Sequence, residues 1–96
     1  MDIRERAKAY GFVPTTYPGQ AGEFLTKRLQ AGEMPYIGEH VVDGENVGEF
    51  DVCVVEITPI DTVQLTIEKT DYMEEGVPLD SDEGRFLLAD AGVKFD

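Results

Sequence analysis

Ninety-six residues, 42% of them hydrophobic, suffice for one small domain with a buried core, which excludes a disordered, highly charged chain. A single cysteine excludes an internal disulfide and fits a reducing, cytoplasmic setting, and no apolar run approaches the roughly 20 residues that span a bilayer. Twenty acidic residues against eight basic ones give a net charge of −12, which argues against direct binding of nucleic acid, since affinity for phosphates comes from clustered Lys and Arg.

Asp2 and Glu5 have the spacing of a capping box, and Ile3, Ala7 and Tyr10 recur at i, i+4 and i+7. Together they predict a helix over residues 3–10, ended by Gly11. Pro14 and Pro18 make 12–19 an extended segment, with Pro18-Gly19 suited to the centre of a type II turn. Ala21, Phe24, Leu25 and Leu29 then share a helical face, so the spacing predicts a second helix over 20–31, stopped by Gly32. Lys27 and Arg28 would lie in its last turns, where cations complement the helix dipole.

From Tyr36 the period changes to that of strands. Candidate strands cover about 36–43, 47–57 and 62–69, with Asp43-Gly44 as the hairpin turn between the first two. Phe50 to Ile57 is apolar on both faces in its second half, the pattern of a central strand buried on both sides. Thr58 to Asp61 forms the next turn, and Val63, Leu65 and Ile67 alternate with Gln64, Thr66 and Glu68, as in a strand with one wet face. Residues 74–78 read as a loop. Ser81 caps a third helix over 82–91, with Asp82 and Glu83 in its first turn, Phe86, Leu87 and Leu88 on its buried side, and Gly92 after it. Residues 93–95 form a short edge strand or a tail. The expected fold is α+β, a single domain over 1–96, with a three-stranded antiparallel meander packed against short helices.

No catalytic or cofactor motif emerges. His40 is the only histidine, and on a strand Glu39 and His40 point to opposite faces, so they do not share an ion. Cys53 lies in an apolar strand, which raises a thiol's pKa and makes it a small core residue rather than a nucleophile. Asp80-Ser81-Asp82-Glu83-Gly84 fails as a calcium loop: its fifth, sixth and twelfth positions are Gly84, Arg85 and Ala91. None of the ten glycines belongs to a phosphate-binding motif. We expect no enzyme, no metal and no cofactor.

Charge is the informative feature. Residues 1–30 hold five basic and three acidic residues, whereas 31–96 hold three basic and seventeen acidic ones, nets of +2 and −14. Such asymmetry points to an interaction surface. Carboxylates two apart on a strand are about 6.8 Å apart on one face, twice the roughly 3.4 Å charge spacing of one nucleic-acid strand. Glu49 and Asp51 have that spacing, Asp43 and Glu45 lie at the adjoining turn, and Asp71, Glu74, Glu75, Asp80, Asp82 and Glu83 form a second group. These ten are the candidate partner-binding residues, and the expected partner is a basic, nucleic-acid-binding protein. In composition alone the chain is similar to small acidic phage-encoded inhibitors of restriction and CRISPR nucleases. The other reading is an assembly subunit of a larger particle, docking through apolar contacts with 12–19 as its arm.

Overall fold

The structure, a computed structural model, describes residues 2–39, 41–42, 45–46, 51–68 and 73–95; of 38–39, 41–42, 45–46 and 73–75 it describes the backbone. Helix α1 spans Ile3–Ala9, and the Asp2 carboxylate accepts from the backbone N–H of Arg4 and Glu5 as its N-cap. Strands β1 (Val13–Thr15) and β2 (Phe24–Gln30) follow, then a 3-10 turn at Ala31–Glu33 and helix α2 (Pro35–Glu39). Two short strands, β3 (Val41–Val42) and β4 (Glu45–Asn46), pair with each other. Strands β5 (Val52–Ile57), β6 (Thr62–Ile67) and β7 (Met73–Pro78) and helix α3 (Asp82–Asp90) complete the chain.

Five strands form one antiparallel sheet in the order β1-β2-β5-β6-β7. Register explains its two faces. Leu25 pairs with Ile57 and Leu29 with Cys53; Cys53, Val55 and Ile57 pair in turn with Ile67, Leu65 and Val63. These apolar rows form one core face, covered by Ile3 and Ala7 of α1, Met34 and Ile37 near α2, and Leu87 and Leu88 of α3. The opposite face carries Thr26, Arg28, Glu56, Gln64 and Thr66, none of them fully buried. Both edge strands contain a proline, Pro14 in β1 and Pro78 in β7, and the three inner strands contain none. A proline cannot donate to a further strand, so the edges are blunted against pairing.

The α+β class is as expected, but the sheet is larger than the three-stranded meander. The predicted helix over 20–31 is strand β2. Its alternation was hidden by Lys27, which stands on the core face between Leu25 and Leu29, in register with Val55. The lysine stem lies within the fold and its ammonium donates to Ala91 O at the C-terminus of α3, 2.6 Å away. A polar letter therefore occupies a core position, as a long snorkelling side chain permits. Lys27 does complement a helix dipole, though that of α3 rather than of its own segment.

Of the expected strand 36–43, residues 36–39 belong to helix α2 and, among the described residues, only Val41–Val42 are strand. Pro35 opens the helix at a position that needs no N–H, and the Asp90 carboxylate accepts from Tyr36 N and Ile37 N at 3.0 and 3.2 Å. That cap comes from α3, 53 and 54 residues away, and no local pattern announces it. Val42 pairs with Glu45, leaving Asp43-Gly44 between them; those two lie outside the described residues. Residues 73–78 are edge strand β7 rather than a loop, and a register shift opposite Val63 to Leu65 accommodates one extra residue. Strand β5 is central, yet only Cys53, Val55 and Ile57 are buried; Val52 and Val54 are half-exposed on the open face. Phe86 is 46% exposed and does not share the buried side of α3.

Other local expectations hold. Gln20 N donates to Tyr17 O at 3.1 Å across Pro18-Gly19, and Gly19 has the positive φ of 80° that a type II turn requires. Both longer helices end in the same way. Phe12 N reaches Ala7 O and Val93 N reaches Leu88 O, at 3.1 and 3.0 Å, with Gly11 and Gly92 left-handed at φ 101°. These are Schellman closures, and they fold Phe12 and Val93 back into the core.

Candidate interaction surface

The structure first settles where the positive charge goes. Arg4 binds Asp61 at 2.9 Å and the Thr58 carbonyl; Lys8 pairs with Glu5, Arg28 with Glu68, and Arg85 with Asp80 at 2.6 Å. Arg6 and Lys27 donate to the carbonyls of Lys94 and Ala91. Six of the eight basic residues are thus engaged within the chain. The positive N-terminal third does not form a basic patch, because Arg4 and Arg28 fold against carboxylates of the acidic remainder. Exposed pairs of this kind contribute at most about 1 kcal/mol each, so their main consequence is neutralisation.

The acidic residues are sorted by the sheet. Gln30 pairs with Val52, Cys53 with Ile67, and Thr66 with Met73. The described residues that bracket segments 31–51 and 68–72 therefore meet at one end of the sheet, while Glu74 and Glu75 lie further along edge strand β7. Those two segments contain eight acidic residues and one lysine, a net of −7 out of −12. The opposite end, at the β5–β6 turn, mixes Asp2, Asp61 and Asp80 with Arg4 and Arg85 around a cleft of about 680 Å³. There each arginine is already matched by a carboxylate.

The ten candidate residues divide accordingly. Asp43, Glu49 and Asp71 lie outside the described residues, as does His40, and Glu45, Glu74 and Glu75 are described by backbone in β4 and β7. Asp51 is buried, with 9% of its surface exposed and its carbonyl accepting from Ala31 N at 2.7 Å, so it offers little to a partner. Asp80, Asp82 and Glu83 are exposed, but they stand at the start of α3, beyond β7, and not beside Asp51. Ser81 caps that helix, accepting from Gly84 N at 3.1 Å.

Two titratable groups have displaced pKa values. Burial, with the nearby charges of Asp51 and Asp90, pushes the Cys53 thiol up to about 11, and the side chain has no exposed surface. It is a core residue held as a thiol. The Tyr17 hydroxyl donates to Glu56 Oε2 at 2.5 Å; that hydrogen bond, then burial, raises its pKa to about 12. Gln64 donates to the other Glu56 oxygen at 3.0 Å, and the Tyr17 ring meets Phe24 edge-on at 5.0 Å. Segment 12–19 is thereby fastened to the open face of its own sheet.

Sequence reasoning missed one feature. Tyr36 of α2 and Phe86 of α3 form an edge-to-face pair, 4.8 Å between centroids, each 46% exposed. Phe86 lies in an apolar run that reads as core, and the position of α2 depends on the Asp90 cap. Among the described residues no helix is long and apolar enough to cross a membrane. No protein-family model matches the chain, and searches of curated proteins and of solved structures return no match.

Proposed function

We propose that this chain is a non-enzymatic acidic module that occupies the basic nucleic-acid site of a partner protein. The observation that carries the reading is the gathering of eight acidic residues, with one lysine, into two segments, 31–51 and 68–72, whose described flanks meet at one end of the sheet. Internal pairing of most basic residues adds to it, since the acidic end has few cations of its own to neutralise it. A surface of that kind competes for the Lys and Arg side chains that otherwise hold phosphates. The assembly reading is less well supported, because Phe12 is buried and Tyr17 is fastened to Glu56 and Phe24 within the domain.

The test is competition. A basic partner captured at 0.1 M salt should be released by duplex DNA or RNA and by raising the salt to 1 M, where the Debye length falls to about 3 Å. A partner retained at 1 M salt and not displaced by nucleic acid would rule the proposal out.

A further inference from the structure

The Tyr36–Phe86 pair occupies an exposed face of α2 and α3, with carboxylates of α3 one turn to either side of Phe86. Asp82 and Glu83 lie one turn before Phe86 and Asp90 one turn after it, about 6 Å along the axis in each direction. The one cation of α3, Arg85, is turned to Asp80. The pair is held in place from several sides: Asp90 binds the backbone of Tyr36 and Ile37, Ile37 is buried, and Leu87 and Leu88 anchor α3 to the core. Two fixed aromatic rings thus stand exposed beside carboxylates.

We infer that this face is a docking surface for an arginine-bearing segment of a partner protein, in which the ring pair receives a guanidinium and the exposed Asp82 and Glu83 carboxylates receive the neighbouring cations. The inference rests on the reading above and extends it from phosphate to base. Nucleic-acid-binding proteins stack arginine planes on exposed bases while other cations meet the backbone charges. An aromatic surface with carboxylates a helical turn to either side presents the same two chemistries together. Arginine is favoured over lysine, because its planar, weakly hydrated head stacks on rings and a strongly hydrated ammonium does so less well.

The experiment uses octa-arginine and octa-lysine peptides as probes of the full chain, with affinities from calorimetry at 0.05 M salt. Stacking at an exposed site predicts that octa-arginine binds about two- to fivefold more tightly than octa-lysine. The preference should vanish in Phe86→Ala with Tyr36→Leu, while both peptides retain their common salt-dependent binding. Circular dichroism melts of each variant confirm that the fold persists. Equal affinity of the two peptides for the wild-type chain, or a preference unchanged in the double variant, would overturn the inference and leave the acidic-end reading standing. Binding of neither peptide would overturn both.

Discussion

Gly84 offers a sharp test of how α3 is seated. In a helix, alanine is favoured over glycine by about 1 kcal/mol, so propensity alone predicts that Gly84→Ala stabilises the protein. The structure predicts the opposite. A Cβ at this position would stand 2.4 Å from Pro78 O and 3.0 Å from Leu79 O, both backbone atoms that no rotamer change can move. Reaching ordinary contact requires α3 to retreat by about 1 Å, and overpacking of this kind costs roughly 1–3 kcal/mol. The retreat also disturbs Ser81, which donates to Pro78 O at 2.6 Å while accepting from Gly84 N, and a lost N-cap costs about 1 kcal/mol. With the propensity gain subtracted, the net loss is about 2 kcal/mol, or a fall in Tm of roughly 8–16 °C. Urea and thermal unfolding would measure it, with Ala89→Gly at an exposed site of α3 reporting propensity alone. If Gly84→Ala is as stable as the wild type or more so, the close approach of α3 to the end of β7 is wrong.

Lys27→Met keeps the buried stem and removes the ammonium at the end of α3; it should cost about 1–2 kcal/mol in urea unfolding, the strength of a charged hydrogen bond at a helix C-terminus. A neutral or stabilising result would show that desolvation of the lysine outweighs its capping bond. Cys53 should be silent to Ellman's reagent at pH 8 until the protein unfolds, and fast labelling of the native state would contradict its burial. Alkaline stability follows from the raised pKa values of Cys53, from 9.0 to about 11, and Tyr17, from 10.0 to about 12. Both groups hold their protons more tightly when folded, so their contribution is intact below pH 9 and is lost between about 9 and 12. Absorbance at 295 nm should show a tyrosine titrating near pH 12, and Tyr17→Phe should remove that step.

The sequence was legible where structure is local. The Asp2 and Ser81 caps, the Gly11 and Gly92 closures, the Pro18-Gly19 turn and the alternation of β6 each depend on a few neighbouring residues. It was misleading where a distant partner decides. Phe24, Leu25 and Leu29 fit a helical face, but the adjacent strand β5 makes them a strand, and Lys27 obscures the alternation because its cap lies on α3. Helix α2 depends on Asp90, and β7 depends on an edge position that tolerates Gly76 and Pro78. The same limit applies to the surface. Charge counting marked 31–96 as acidic, whereas the register of the described strands brings the residues flanking 31–51 and 68–72 to one end and leaves Asp80, Asp82 and Glu83 apart from them. The ring pair required the packing of two helices, so no motif could have shown it.

The central claim concerns where the negative charge acts, and its most direct measurement compares two double reversals of equal charge. Glu49→Lys with Asp71→Lys reverses one carboxylate in each acidic segment, whereas Glu5→Lys with Glu23→Lys makes the same change of +4 elsewhere in the chain. Each is assayed for capture of a basic nucleic-acid-binding partner at 0.1 M salt. The account predicts that the first pair weakens capture at least tenfold and that the second changes it less than threefold. Equal losses in the two variants would mean that net charge alone attracts the partner, and the acidic end would have no particular role.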